Sequence, residues 1–249
     1  MKPGGQPTFS GASHSTIAKS VNAIDWGQVS SDLDAQGSAV TEGLLTPKEC
    51  ETLAMLYSRA EIFRSRIVMS RHNFGRGEYQ YFRYPLPDLI DQLRNAIYPH
   101  LVPVANRWNT AMGIEVSFPS THVEFLDGCH QAGQDKPTPL MLKYRADDYN
   151  CLHQDLYGEH VFPLQLAILL SDPHKDFTGG EFVMTEQRPR MQSRPIVVPL
   201  RQGDGVFFAV QNRPVRGARG WYRVNMRHGV SRVRSGQRYT VGIIFHDAK

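Results

Sequence analysis

The tripeptide His153-Gln154-Asp155 carries more potential chemistry than any other short segment of the chain. Residues two apart on an extended strand project from the same face, so a strand here presents an imidazole and a carboxylate side by side. They make two of the three donors of a two-histidine, one-carboxylate face, an arrangement that holds a divalent iron and leaves its remaining coordination positions open. A strand-borne His-x-Asp also serves as a plain surface hydrogen-bonding pair, so the reading depends on a second histidine. Among the ten histidines, His228 is the candidate by position. It follows Asn225-Met226-Arg227 on a strand-like run, where a jelly roll returns beside the strand of His153, and Gly229 behind it leaves room near a metal. Three further features fall in order. Tyr144 precedes His153 by nine residues, and Arg238 follows His228 by ten. An arginine there is the right group to clamp a carboxylate through two parallel hydrogen bonds. Gly203-Asp204-Gly205 forms a turn before a hydrophobic run.

These residues need elements to hold them. After Pro139 the pattern is one of short strands separated by turn signals, with candidates at 140–144, 151–155, 164–170, 181–185, 196–199, 205–210, 224–229 and 238–245. Eight short strands at this spacing predict a jelly roll or barrel-like double sheet rather than a parallel α/β fold. Before Pro139 the chain reads as mostly helical. Thr46-Pro47-Lys48-Glu49 places an N-cap, a proline at the first helical position and a capping-box acid ahead of Leu53, Leu56 and Tyr57. Leu89, Leu93, Ile97, Leu101, Ala105 and Trp108 repeat at helical spacing, with a break or kink expected near Pro99 and Pro103. A short helix is expected over about 120–130. The expected organisation is a flexible lead-in over 1–20, a helical support region over 21–138 and a β core over 139–249, giving an α+β fold.

Composition narrows the class. With 41% hydrophobic and 21% charged residues over 249 positions, the chain can bury a sizeable core, which excludes disulfide miniproteins, collagen and wholesale disorder. No apolar run reaches the roughly 18 residues of a membrane span. The Gly- and Ser-rich first 20 residues have no apolar centre and do not read as a secretory signal. Cys50, Cys129 and Cys151 are odd in number, far apart and in no C-x-x-C pair, which fits a reducing cytoplasm. The net charge of +4 hides an asymmetry. Residues 188–238 hold twelve arginines, no lysine and one acid, Asp204, so that this segment carries +11 and the remainder −7. Planar bidentate donors suit phosphate, which points to a polyanion such as nucleic acid. The alternative is pairing with carboxylates elsewhere in the chain.

Residues 140–247 resemble the catalytic core of the Fe(II)- and 2-oxoglutarate-dependent dioxygenases. The tripeptide His153-Gln154-Asp155, the pair His228-Gly229 and Arg238-Tyr239 are similar to the AlkB-type enzymes that repair alkylated nucleic acid. The tract from Leu152 to Glu159, with Gly179-Gly180-Glu181-Phe182 and Arg227-His228-Gly229-Val230-Ser231, also resembles a bacterial oxygenase family provisionally assigned to nucleic-acid repair. The resemblance implies a double-stranded β-helix in which His153, Asp155 and His228 hold Fe(II). It further implies that Arg238 pairs with the distal carboxylate of 2-oxoglutarate while Tyr144 hydrogen-bonds the cosubstrate. Molecular oxygen is consumed, succinate and CO2 leave, and in demethylases the hydroxylated methyl departs as formaldehyde. Two positions depart from the AlkB pattern. A second arginine six residues beyond the first is replaced by Ile244, and the ten-residue gap from His228 to Arg238 is nearer that of prolyl hydroxylases, which use lysine there. Three functions follow, in order: a dioxygenase demethylating alkylated bases, a protein or peptide hydroxylase, and a non-catalytic jelly roll that binds nucleic acid, DNA favoured.

Other residues carry weaker signals. His122-Val123-Glu124 resembles a metal pair but falls on a helix, where residues two apart face different directions. His160, His174 and His246 read as solvated or hydrogen-bonded, and Cys151 as a small residue on the ligand face. Asn150, for the cosubstrate, and Gln165 are supporting donors or ordinary strand hydrogen-bonders. The segment 74–84, with Arg76, Tyr79 and Tyr81, is either a Gly-hinged lid that stacks an unstacked base or a hairpin packed on the core. The segment 213–223, with Arg216, Arg219, Trp221 and Arg223, reads as a phosphate-gripping loop at the site mouth.

Overall fold

The computed structural model describes residues 12–249. Its helices are α1 (Ala12–Asn22), α2 (Trp26–Gln36), α3 (Pro47–Leu56), α4 (Asp88–Ala111) and α5 (His122–Gln131). Its first strands are β1 (Ser38–Thr41), β2 (Phe63–Val68), β3 (Gly75–Arg76), β4 (Glu78–Phe82), β5 (Leu140–Arg145), β6 (Tyr149–His153) and β7 (Leu164–Leu169). There follow β8 (Phe177–Gly179), β9 (Phe182–Gln187), β10 (Arg194–Val198), β11 (Gly205–Ala209), β12 (Asn212–Gly217), β13 (Gly220–Val230) and β14 (Val233–Ile243). The larger antiparallel sheet runs β1-β11-β7-β14-β5-β4-β2 with β8 on β14; the smaller runs β10-β9-β13-β6-β3 with β12 on β13. Their inner faces meet where Phe208 of β11 packs on Phe182 of β9, ring centres 5.2 Å apart. The fold is α+β with a jelly-roll core, and helices cover the outer face of the larger sheet.

Helix α3 starts as its sequence dictates. Thr46 caps it, the Glu49 side chain returns to the Thr46 backbone, and Pro47 stands in the first turn. Thr121 and Glu124 repeat the box at the start of α5. Helix α4 corrects the expected break, because it runs on through Pro99 and Pro103. Each proline deletes one ladder bond, but the two stand four residues apart on the exposed side of the helix. The apolar stripe from Leu89 to Trp108 stays intact on the other side. Trp26 of α2 packs on Phe207 at 5.4 Å, and Tyr98 of α4 on Phe245 at 6.1 Å, so helix and sheet share one core.

The boundary at 138/139 is not a structural one. Strand β1 pairs β11, β4 lies between β2 and β5, and β3 pairs β6, so the 21–138 region supplies strands to both sheets as well as helices. These strands are too short, or too uneven in polarity, to show a period-2 pattern. Of the expected lead-in, residues 1–11 lie outside the described residues, and 12–20 belong to α1, whose Ile17 is buried. The 74–84 segment is sheet rather than a free lid, through β3 and β4. All eight expected strands are present with shifted ends. One shift matters: β6 stops at His153, so Asp155 lies beyond the strand. Among the described residues no helix is long and apolar enough to cross a membrane, and all three cysteines are free.

Candidate metal and cosubstrate site

His153 ends β6 and His228 lies opposite it on β13, a direct cross-strand pair with ring centres 4.2 Å apart. Asp155 reaches the same point from the turn after β6. The Gln154 side chain fastens that turn by donating to the Met226 carbonyl at 2.8 Å. One ligating atom from each of the three residues lies within 4.8 Å of the others. The Asp155 oxygens face the two Nε2 atoms, at 3.5 Å from His153 and 3.4 Å from His228.

Hydrogen bonding sets what these atoms offer. His153 Nδ1 lies 2.8 Å from the Cys151 carbonyl, an acceptor, so Nδ1 carries the hydrogen and Nε2 turns its lone pair towards Asp155. That lone pair and the carboxylate repel each other unless a proton on Nε2 or a cation lies between them. Burial disfavours charge on Asp155, but the two imidazoles win and hold its carboxyl well below the usual range. Burial opposes protonation of His153 as well, yet Asp155 raises its pKa. His228 moves the other way, lowered by burial and by the charge of His153. Its Nδ1 is buried without a partner. The Tyr157 hydroxyl donates to Asp155 Oδ1 at 2.8 Å and orients the carboxylate. Nothing in the sequence singled out Tyr157; its place two residues after Asp155 is the only available signal. The donor set fits Fe(II).

The same cavity, about 370 Å³, continues inward to Arg238 on β14 and Tyr144 on β5, which pair across the strands. Arg238 is 1% exposed and has no carboxylate within ion-pair distance among the described residues. Its Nη1 donates to Thr240 Oγ1, while its Nε and the Tyr144 hydroxyl have no partner. Burial pushes Arg238 down to about 10, with Tyr144 and Glu181 pulling against it. A buried guanidinium with spare donors calls for an anion, and 2-oxoglutarate fits. Gly180 makes space for the Arg238 side chain itself, because a Cβ there would lie 3.0 Å from Arg238 Cδ and 2.9 Å from Val233 Cγ2.

Asn150 and Tyr79 line the cavity, as does Phe74 at its rim. Tyr81 is buried behind it, its ring 5.4 Å from that of Tyr79 and 6.2 Å from that of Tyr157. Arg76 is exposed on β3 and does not line the cavity. The largest correction concerns 213–223, which is not a loop at the mouth but the β12–β13 hairpin. Seven residues separate Trp221 from His228, roughly 23 Å along the strand at about 3.3 Å per residue. Arg216, Arg219, Trp221 and Arg223 therefore lie away from the metal candidates. Arg216 stacks over Trp221 at 6.0 Å, and Arg223 donates to the Met112 carbonyl.

The arginine excess is partly internal. Arg188, Arg194 and the buried Arg213 all converge on Glu186, and Arg232 pairs with Asp147. Eight of the twelve make no carboxylate contact among the described residues, and one of these, Arg238, is turned into the cavity, which leaves seven. His122 is no metal ligand: its ring lies 2.8 Å from Asn95 Oδ1 and 2.8 Å from the Phe245 carbonyl.

Residues 77–248 match the Oxygenase-NA family model, described as "Oxygenase, catalysing oxidative methylation of damaged DNA". Two uncharacterised proteins of Mycobacterium tuberculosis, one from strain CDC 1551 / Oshkosh and one from strain ATCC 25618 / H37Rv, are each 53% identical over 167 residues. The match covers 67% of this chain and 72% of each relative. Among solved structures, a prolyl-4-hydroxylase of Pseudomonas putida aligns with TM-score 0.51 at 12% identity, over 90% of this chain and 99% of that one. The non-haem alpha-ketoglutarate-dependent epimerase SnoN of nogalamycin biosynthesis aligns with TM-score 0.52 at 14% identity, over 87% and 80%. At these identities the structural likeness speaks for the fold alone. With a family model matching more than half its length, the chain belongs to the Oxygenase-NA family of oxygenases.

Proposed function

We propose that this oxygenase removes N-linked methyl groups from alkylated bases in nucleic acid, DNA in the first instance, with His153, Asp155 and His228 as the iron ligands. The observation that carries the reading is the match of residues 77–248 to a family described as acting on damaged DNA. The cavity geometry supports the residue roles. Fe(II) held there would, with 2-oxoglutarate and O2, supply the oxidation: one oxygen atom would end in succinate as CO2 leaves, and the other on the methyl carbon, which would depart as formaldehyde. The chain's own residues prepare for this. Arg238 holds the distal carboxylate of 2-oxoglutarate, and Tyr144 and Asn150 add polar contacts along the cosubstrate. Tyr157 keeps Asp155 turned towards the metal. Phe208 packs tilted on His228 and Phe182 stacks on it, with ring centres at 4.6 and 6.0 Å, and the two rings make an apolar wall on that side.

One observation favours a second reading, a protein or peptide hydroxylase: the ten-residue spacing from His228 to Arg238 and the absence of a second arginine at Ile244. The third reading, a non-catalytic module, is set aside because the family is one of oxygenases. The deciding experiment incubates the Fe(II) enzyme and 2-oxoglutarate with oligonucleotides carrying 1-methyladenine or 3-methylcytosine, then measures methyl loss by mass spectrometry. Demethylation is expected in the native enzyme and none in His153→Ala. No turnover of either lesion, together with hydroxylation of a peptide pool, would transfer the assignment to the second reading.

A further inference from the structure

We propose that Gln165 reads the substrate base, accepting from the exocyclic amino group of an N1-methylated adenine and donating to its N7. The inference rests on the nucleic-acid reading above and assigns a residue that decides which base is bound.

Gln165 is one of few polar side chains in the cavity without a role in holding the metal or the cosubstrate. It stands on β7, a strand buried along its whole length, and is 3% exposed. Its carboxamide makes no hydrogen bond among the described residues, and its Nε2 is fully enclosed. A buried amide left unpaired is costly, so its retention in a strand of Leu, Ala and Ile points to a ligand that completes it. Its direction is fixed by register. Gln165 pairs with Phe208 across β7 and β11, so the two share a face. Phe208 turns inward onto His228, ring centres 4.6 Å apart, which places Gln165 on the cavity wall at the level of the metal candidates.

The end of the cosubstrate held by Arg238 lies away from it. Leu169 lies opposite Thr240, the residue that the Arg238 guanidinium touches. From Leu169 to Gln165 is four residues, about 13 Å along the strand. A five-carbon dicarboxylate spans roughly 5 Å between its end carbons, from C–C bonds of about 1.5 Å. Gln165 therefore stands well past the anchored carboxylate, on the stretch of wall beside the metal candidates, where the substrate must also lie. A methyl group on adenine N1 occupies the Watson–Crick edge and has to point at the metal. The N6 amino group and N7 remain free, and they form the edge that a glutamine engages with two hydrogen bonds. Cytosine methylated at N3 offers only its amino group to the same amide.

The test uses Gln165→Met, close in volume and unable to form either hydrogen bond, with Gln165→Leu as a second variant. Four quantities are measured: melting temperature, 2-oxoglutarate affinity under nitrogen, and kcat/KM on oligonucleotides carrying 1-methyladenine or 3-methylcytosine. A melting temperature at or above that of the native protein is expected, because the unpaired amide is gone, together with 2-oxoglutarate affinity within about two-fold. The value of kcat/KM on 1-methyladenine should fall about 10- to 100-fold, the range of a lost bidentate base contact, and on 3-methylcytosine by clearly less. A lower melting temperature in both variants would make the amide structural and overturn the proposal. A ten-fold loss of 2-oxoglutarate affinity would make it a cosubstrate contact, and undiminished 1-methyladenine turnover would remove the base-reading role. Each of these leaves the repair reading standing. A native enzyme inactive on both oligonucleotides would instead overturn the repair reading, and the base assignment with it.

Discussion

Arg238 shows how a single residue changes meaning with its surroundings. In the sequence it is one of twelve arginines in a basic stretch; in the fold it is enclosed beside Tyr144 with donors unspent. Charge-assisted hydrogen bonds of this kind contribute about 1.5–3 kcal/mol. Arg238→Met is accordingly expected to raise the KM for 2-oxoglutarate about 10- to 100-fold, with little loss of metal affinity, since the metal candidates sit higher in the cavity. Titration of cosubstrate into the Fe(II) protein under nitrogen checks this, and an unchanged affinity would move the cosubstrate to another wall. His153 and Asp155 make the complementary case. Their types and spacing in the sequence suffice to suggest a metal, but the tautomer that aims His153 Nε2 at Asp155 comes from the Cys151 carbonyl.

At the scale of elements, the pairing of β6 with β13 decides whether the three donors meet. The ladder is irregular between His228 and Val230, and Gly229 sits in that irregularity. Its lack of a side chain serves the backbone rather than the metal, because a Cβ there would lie 2.7 Å from the Asn150 carbonyl oxygen. Gly229→Ala must push β6 away from β13 and separate His153 from His228. A loss of about 1–3 kcal/mol in stability is expected from such overpacking, together with at least ten-fold weaker Co(II) binding, readable from the visible spectrum of the Co(II) form. Unaltered Co(II) affinity would show that the strand pair tolerates the extra atom. The β12–β13 hairpin teaches a related lesson. Its arginines alternate along the strand, so Arg213 turns inward to Glu186 while Arg216 and Arg223 turn out. Strand register, not composition, sorts the basic residues into core and surface.

At the scale of the whole molecule, buried polar groups fasten helices α4 and α5 to the C-terminal end of β14 and the segment beyond it. Arg94 pairs with Asp247, which also accepts from Tyr84 and lies 2.8 Å from His130. Burial and Arg94 lower His122 to about 3, and burial lowers His246 to about 4. Both histidines are therefore neutral in the folded protein at pH 5, whereas an unfolded imidazole protonates near 6.5. The unfolded state takes up more protons across this range, so stability is full above about pH 6.5 and falls as the pH drops, by up to about 1.4 kcal/mol per pH unit for each group. Urea unfolding midpoints from pH 7 to 4 should decline, and His122→Gln should flatten part of the slope; a level profile would contradict the assignment of neutral imidazoles. The sequence by itself determined what short-range spacing can encode: the capping box of Thr46 and Glu49, the stripe of α4, the strand runs after Pro139, and the residue types of the metal and cosubstrate candidates. Only the tertiary structure decided what depends on partners distant in the chain. It brought β1 to β4 into the sheets, carried Asp155 past the end of its strand, gave Glu186 three arginines, and left Gln165 facing the cavity with nothing to bind. The physical reason is that side-chain periodicity is local, whereas strand register, charge pairing and the satisfaction of buried polar groups are settled between segments up to 150 or more residues apart, as Arg94 and Asp247 are.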